Sequence, residues 1–338
     1  MRIGVIGFGN WGKVLCRCFS EASLEVSFIA EIAPERCEEA RRGFPGALHA
    51  LSSAELLATG DIDAVAIATP ASTHFDIARE ALEAGKHVWI EKPVAETADQ
   101  ARALALLAQR RGCVLFIDHT FLYSSSIRLI KRMLAQKEFA GMRRYESVRT
   151  NDGQPRRDTS IFHDLTIHDL AILDFLLGEP PLAVSATRMP AQGASASGDQ
   201  CIALSYASGV TAGIRVNWCA SAKVRRIAIS SSRQTVEFDD MQPHHKVWIH
   251  EYPLAASTEH ESCDLSSGRQ NGRLLSPQDQ REALANAVEC FLDSIRTGQK
   301  PVSDGWQGVR LAAIVHACLS SSKADGRWTD VAPMVDTD

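Results

Sequence analysis

No stretch of this chain is apolar for long enough to cross a bilayer, which sets aside the membrane-spanning classes. There is no CxxC pair. The nine cysteines, an odd number, are scattered, so neither a disulfide framework nor a structural zinc site is expected. Cys16 and Cys18 share an expected helix and read as small residues packed against a sheet. Positive charge is not in excess: 36 Lys and Arg against 41 Asp and Glu leave a net charge of −5, which argues against a general nucleic-acid binder. No internal repeat is visible. MRIGVIGFG enters a strand at once, so no leader peptide is expected, and a reducing cytoplasm is the expected compartment. His244, His245 and His250 have no Cys or acid around them at zinc spacing, so no metal is expected.

What is present is an ordinary globular balance, 45% apolar and 23% charged over 338 residues, long enough for about two domains. Up to about residue 120 short apolar runs alternate with helical segments. The runs are 2–6, 26–30, 62–68, 87–90 and 114–117, and the helices are 13–19, one beginning near Pro34, 73–84 and one opened by Thr97 with Gln100. That alternation predicts an α/β fold with a doubly wound parallel sheet, a Rossmann domain over 1–120. Beyond it the grammar changes. Helices are expected near 124–138 and 164–177. Strands follow, with hairpin signals at Ser208-Gly209 and Ser231 to Gln234. Residues 255–276 read as a loop. A helix is expected to open with Ser276 as cap, Pro277 next and Asp279 after it, and to end at Gly298; another covers about 306–320. Residues 121–338 are thus expected to form an α+β domain with an open, largely antiparallel sheet that binds substrate and mediates oligomerisation.

The strongest motif is Gly7-Phe8-Gly9-Asn10-Trp11-Gly12, which follows a strand and opens a helix. Gly7 permits the tight turn, Gly9 lets a phosphate approach the backbone, and Gly12 lets helix and strand pack closely. Glu31 ends the second strand 19 residues after Gly12, where an acid can accept hydrogen bonds from ribose hydroxyls and repel a 2′-phosphate. NAD is therefore expected over NADP. Arg36 is near but belongs to the next helix. Thr69-Pro70 and Glu91-Lys92-Pro93 stand at carboxyl ends of parallel strands, the edge where open α/β sheets bind ligands. Lys92 there can direct a cation at a substrate oxygen. Asp164 and His168 are spaced i, i+4 on an expected helix and are a candidate acid/base pair; His163, Asp169 and His119 are lower-ranked alternatives. His74 is a candidate for capping or lining the cofactor pocket. Arg149, Arg156, Arg157, Lys223, Arg225 and Arg226 are candidates for meeting an anionic substrate. VTAGIRVNW alternates, so an uncovered apolar sheet face and a homodimer or tetramer are expected.

Together these residues resemble the Gfo/Idh/MocA oxidoreductase family over nearly the whole chain. GFGNWG resembles its dinucleotide loop. ATPASTHFDIAREALEAGKHVWIEKPVA looks like its central segment, with Lys92 at the motif lysine. Asp164 and His168 in HDLTIHDLAILDFLLG match its D-x-x-x-H helix. The resemblance implies bound NAD(H) or NADP(H) and hydride exchange at a hydroxyl of a sugar, cyclitol or sugar nucleotide. It further implies Lys92, Asp164 and His168 as the catalytic set. IDHTFLYSSSIR and NWCASAKVRR look closest to members known broadly as predicted dehydrogenases. Asp118 departs from the small residue, often Gly, usual in such members, and many relatives lack a His at 119. Two branches of the resemblance stand as rivals: a non-enzymatic dinucleotide-sensing co-repressor and an NAD-dependent glycosidase.

Overall fold

The computed structural model describes residues 1–58, 61–139, 141–156, 159–189, 198–251, 272–277 and 281–332. The chain divides into two compact units. One comprises Met1–Ser124 with Arg281–Ala313, the other Ser125–Gln280 with Ile314–Pro333. The sequence expectation put everything after residue 120 into one domain; Arg281–Ala313 instead groups with the first unit.

In the first unit, β1 (Arg2–Ile6), α1 (Asn10–Glu21), β2 (Glu25–Ala30), α2 (Pro34–Gly43), β3 (Leu48–Ala50), α3 (Ser53–Ala58) and β4 (Ala64–Ile67) follow in order. Then come α4 (His74–Glu83), β5 (His87–Ile90), α5 (Ala98–Arg111) and β6 (Leu115–Ile117). The strands form one parallel sheet in the order β3-β2-β1-β4-β5-β6. Every residue of β4 and β6 is buried, which is why these strands read as unbroken apolar runs. Caps follow the sequence signals: Thr97 Oγ1 accepts the Gln100 N–H at 3.2 Å, and Gly112 ends α5 in the left-handed region at φ 65°. The short β3 and α3 carried no readable pattern and were not expected.

The helix α8 (Ala283–Thr297) also belongs to the first unit. Its expected start is corrected. Ser276 and Pro277 lie outside it, Asp279 falls outside the described residues, and the helix begins after Glu282. Arg281 and Glu282, just ahead of the helix, offer no apolar side chain, and a helix without an apolar face has little to hold it. From Leu284 on, Val288 and Phe291 are buried. Phe291 meets Trp89 and Phe116 edge-on, each at 5.6 Å, while Trp89 and Phe116 stack at 4.3 Å. Burying an aromatic ring of this size stabilises by about 3 kcal/mol.

In the second unit, α6 (Ser125–Leu134) precedes β7 (Arg144–Asp152). A π-helical turn, Phe162–Thr166, then runs directly into α7 (Ile167–Leu177). Strands β8 (Pro181–Arg188), β9 (Gln200–Tyr206), β10 (Thr211–Asn217), β11 (Cys219–Ser230), β12 (Gln234–Asp239) and β13 (Val247–Glu251) follow. With β14 (Arg273–Leu275) and β15 (Thr329–Asp330) they form a nine-stranded sheet, ordered β14-β13-β12-β11-β7-β10-β9-β8-β15. Only the β7–β10 pair is parallel, so the sheet is mixed and mostly antiparallel. β14 corrects the loop reading of 255–276; residues 252–271 fall outside the described residues. The chain passes between the units within α9 (Gly305–Lys323).

The apolar residues of VTAGIRVNW do not face solvent: Ala212, Ile214 and Val216 are all buried within the chain. The alternate face of the sheet is polar-rich, with Arg144, Glu146 and Arg226 exposed and Trp248 partly so. No helix among the described residues is long and apolar enough to cross a membrane.

Candidate active site

Three neighbouring strand ends in the first unit carry its chemistry. The loop after β1 holds the glycines. Gly7 has φ +92°, and a Cβ there would lie 2.6 Å from the Ala68 carbonyl oxygen. A Cβ on Gly12 would come within 2.0 Å of the Gly7 carbonyl oxygen, so both positions require glycine. At Gly9 a Cβ would meet only the Arg36 guanidinium, 3.6 Å away, which leaves the loop approachable and puts a cation beside it. Gly9 caps α1 without a side-chain hydrogen bond, and no acid sits in the first turn. The N–H groups of Asn10, Trp11 and Gly12 are thus directed outward at the positive helix end, with Asn10 and Trp11 exposed. This cradle fits a dinucleotide pyrophosphate.

Glu31 is buried and clasps the loop. Its Oε2 accepts the Phe8 N–H at 2.7 Å, and its Oε1 accepts the Ile32 and Ala33 N–H groups at 2.8 and 2.9 Å. A carboxylate has about four acceptor positions, so about one is left for a ribose hydroxyl.

The second strand end is Thr69-Pro70 after β4, and the third is Glu91-Lys92-Pro93 after β5, where the Lys92-Pro93 bond is cis. His74 ties them together: its Nδ1 lies 2.7 Å from the Pro93 carbonyl oxygen and its Nε2 2.9 Å from that of Thr69. The ring is 1% exposed and burial pushes its pKa down. Neutral, the ring donates its one N–H to one of these carbonyls and packs against the other, so His74 braces two strand ends. Lys92 is partly exposed on this edge. Glu91 is buried, faces Asp118, and is pushed well up by that burial and by the neighbouring carboxylate. His119 is 2% exposed, and burial with the Lys92 charge drives its pKa down to about 3, which keeps the ring neutral near pH 7.

In the second unit, Asp164 lies in the π turn and His168 in the first turn of α7. The expected regular i, i+4 spacing is therefore modified by a wider turn, a feature frequent at functional sites. Asp164 is 9% exposed, and its Oδ2 accepts the Trp218 Nε1–H at 2.7 Å while Arg156 Nη1 lies 3.5 Å from Oδ1. His163 Nδ1 is within 2.8 Å of Ser160 Oγ. Asp169 is committed to the core, where its Oδ2 accepts from Arg149 Nε at 2.6 Å and its Oδ1 from the Tyr145 hydroxyl at 3.1 Å.

The candidate anion-binding cations separate in the same way. Arg149 is buried on Asp169, and Arg225 is bound to the Thr150 carbonyl and Asn151. Arg226 pairs with Asp239 at 2.9 Å. Arg156 and Lys223 remain exposed, and Arg157 lies outside the described residues. His244 and His245 are exposed, and no grouping of His, Cys, Asp and Glu able to hold a metal occurs among the described residues. Cys16 and Cys18 are buried, with burial pushing the thiols up to about 12 and about 11, so neither is a thiolate near neutrality.

Residues 1–119 match the oxidoreductase family with an NAD-binding Rossmann fold, and residues 127–237 match the GFO/IDH/MocA C-terminal domain. The chain belongs to the Gfo/Idh/MocA oxidoreductase family. It is 31% identical to UDP-N-acetylglucosamine 3-dehydrogenase of Acidithiobacillus ferrooxidans over 93% of this chain and 94% of that protein. It is 25% identical to inositol 2-dehydrogenase of Rhizobium meliloti over 95% of this chain and 96% of that one. A solved structure of the A. ferrooxidans enzyme superposes with a TM-score of 0.82 at 26% identity, covering 96% of this chain and 98% of the other. Levoglucosan dehydrogenase in complex with NADH superposes with a TM-score of 0.83 over 99% of this chain and all of that one; at 18% identity this shows the fold alone. The protein is thus an oxidoreductase with the family's NAD-binding domain.

Sequence reasoning did not anticipate Trp218 as the partner of Asp164, the π turn, or the packing of Glu91 on Asp118. Trp218 had a weak signal, a large polar-tipped aromatic at the end of a strand. The other two depend on strand order and helix register.

Proposed function

We propose that this protein is an NAD-dependent dehydrogenase acting on a hydroxyl of a sugar, cyclitol or sugar nucleotide, with Lys92, Asp164 and His168 as its catalytic set. The observation that carries the reading is one sheet edge. The glycine loop after β1 and Lys92 after β5 stand at carboxyl ends of strands flanking β4, at the point where the strand order reverses. Relatives matching nearly the full chain are dehydrogenases named for a UDP-sugar and an inositol, which supports the substrate class. Arg156, half-exposed beside Asp164, supplies a cation for an anionic group, which favours a nucleotide sugar. Gly7, Gly9, Asn10, Trp11 and Gly12 would hold the pyrophosphate, with Glu31, Thr69, Pro70, His74, Glu91 and Lys92 shaping the remaining cofactor site. Glu31 favours NAD over NADP, because a 2′-phosphate would meet its carboxylate.

When bound, the nicotinamide supplies the hydride acceptor or donor. In the oxidative direction the substrate hydroxyl loses its proton to His168, whose ordinary pKa near 6.5 suits transfer around neutrality. Lys92 holds the developing negative charge on oxygen. Asp164, fixed by Trp218, binds a substrate hydroxyl or orients the imidazole. Lys92→Ala and His168→Ala should each lower turnover by about 10²–10⁴, and His168→Ala should do so while leaving NADH affinity unchanged. Retained activity in both would overturn the assignment; retained activity in His168→Ala alone would make Lys92 the base. The substrate is found by screening sugars, inositols and UDP- or dTDP-sugars at the NADH absorbance band with both cofactors. Equal or faster reaction with NADP would remove the role given to Glu31.

The outward face of the nine-stranded sheet supports assembly into a homodimer or tetramer, because an open sheet face with Val148, Ala228 and Trp248 on it is a ready self-complementary surface. A monomer mass by light scattering at micromolar concentration would refute it. The eight described cysteines are free thiols, in keeping with a reducing cytoplasm; extensive disulfide formation in protein isolated without reductant would count against that compartment.

A further inference from the structure

The helix α7 is apolar on every side. Ile167, Leu170, Ala171, Ile172, Leu173 and Leu176 are all buried. Residues 170 to 173 are consecutive, and at about 100° per residue they take in the whole circumference. Apolar burial has no direction, so a helix coated in this way can turn about its axis and lose little of it. His168 sits on this helix, and a group that takes a proton must point at one place.

A polar side chain in the same turn removes that freedom. Asp169 is 1% exposed. Its Oδ2 accepts from Arg149 Nε at 2.6 Å, and its Oδ1 accepts from Arg149 Nη2 at 3.5 Å and from the Tyr145 hydroxyl at 3.1 Å. Arg149 and Tyr145 are themselves buried. They stand four residues apart on β7, hence on one face of the sheet. β7 lies inside that sheet, with β10 on one side and β11 on the other, so two ladders fix it. Donors from one rigid strand thus converge on one carboxylate of α7, and contacts of this kind set direction as well as distance. A buried ion pair gains little stability over apolar residues of similar volume; its best attested use is to set register. His168 is turned from Asp169 by about 100° around the helix axis. With Asp169 pinned to β7, His168 is left partly exposed.

We infer that Arg149 and Asp169 are positioning residues: their buried pair sets the rotation of α7 and, through it, the direction in which His168 presents its imidazole. Neither touches substrate. The pair acts through His168, and the inference rests on the proposed role of that histidine. β7 then anchors both members of the candidate acid/base pair. It holds His168 through Asp169, and its end holds Trp218, the partner of Asp164, through the Gly153 N–H on the Trp218 carbonyl at 3.1 Å.

The test separates direction from stability. A triple variant, Arg149→Met with Asp169→Leu and Tyr145→Phe, roughly keeps the side-chain shapes, leaves the net charge unchanged and leaves none of the three polar groups behind. Its thermal midpoint should stay near that of the parent, because an apolar replacement packs as well as the pair. Its kcat should nonetheless fall by about 10- to 100-fold, the effect of a misdirected group, with KM and NADH affinity within about twofold. A kcat near the parent value at an unchanged midpoint would mean that the pair serves stability alone, and would overturn the inference. The second arm asks whether the pair works through His168. Asp169→Asn offers one acceptor oxygen where two are used, so it should lower kcat in the parent and change little more in His168→Ala. An undiminished kcat in Asp169→Asn, or the same loss in both backgrounds, would overturn the inference, and this cycle decides if the triple variant does not fold. Failure of the proposed function reads differently: His168→Ala alone would then keep its turnover, and the inference would fall with it.

Discussion

The two units fix their candidate site residues with different parts of the chain. The first does it with backbone. Its glycine loop has no room for side chains at Gly7 and Gly12, the free N–H groups belong to the start of α1, and the strongest side-chain contacts, Glu31 on Phe8 and His74 on Thr69 and Pro93, hold main chain in place. The second does it with side chains: Trp218 and Arg156 on Asp164, and Arg149 and Tyr145 on Asp169. A backbone site is set by local conformation and tolerates little. A side-chain site is set by partners far apart in sequence and can be retuned one residue at a time.

The sharpest way to break this contrast is at Gly12. A methyl group there would sit 2.0 Å from the Gly7 carbonyl oxygen, and the obstacle is backbone, so the loop itself must move. Gly12→Ala should weaken NADH binding by at least about 100-fold, equivalent to roughly 3 kcal/mol. Fluorescence titration measures it. Binding within a few-fold of the parent would mean that side chains, not this loop, carry the affinity.

That contrast also explains what could be read from the sequence. Gly7 through Gly12, the apolar runs of β1, β4 and β6, and the caps at Thr97 and Gly112 are local rules, each visible within a few residues. Lys92 was legible because a strand end is. Three-residue β3 was not, since so short a run has no period. The start of α8 was misplaced because Ser276 and Pro277 mimic a cap, and α8 was assigned to the wrong unit because its Phe291 finds Trp89 and Phe116 only in three dimensions. The same holds for VTAGIRVNW. Its alternation was readable, but which face is covered depends on the rest of the unit. Trp218 with Asp164, Glu91 with Asp118, and the π turn depend on sheet order and helix register, which no window of sequence contains.

His119 sharpens the comparison from the other side, as a titratable side chain that the first unit keeps silent. Its folded pKa is driven from 6.5 down to about 3 by burial, aided by Lys92. The folded state therefore refuses a proton that the unfolded chain accepts. The sign follows: this contribution to stability is whole above pH 6.5 and is lost progressively as pH falls toward 3. At pH 5 the loss is about 2 kcal/mol. His119→Gln should remove it. Denaturant unfolding at pH 7.5 and pH 5 should show a smaller acid penalty in the variant than in the parent, by about that amount. His74 acts in the same direction and the Glu91–Asp118 pair in the opposite one, but both are common to the two proteins and cancel in the difference. An equal penalty in both would mean that His119 is not buried neutral.

The smallest effect tests the second unit on its own terms. Trp218 Nε1 donates to Asp164 Oδ2 at 2.7 Å, a hydrogen bond to a carboxylate that is 9% exposed. Bonds to charged groups are worth about 1.5–3 kcal/mol net, so Trp218→Phe, which keeps the ring and removes the donor, should lower kcat by about tenfold. The loss should appear in kcat, not in NADH affinity, because the dinucleotide cradle is built from residues of the first unit and Trp218 belongs to the second. A purely structural role would instead lower the thermal midpoint and leave the kinetics of the folded fraction unchanged. The decisive measurement is a double-mutant cycle with Asp164→Asn. If Trp218 acts by orienting Asp164, its substitution should do almost nothing once the carboxylate is gone, giving a coupling energy close to the full single effect. Additive losses would show that the indole and the carboxylate serve separate ends, and the view of this unit as a chain of side chains each holding the next would fail at its first link.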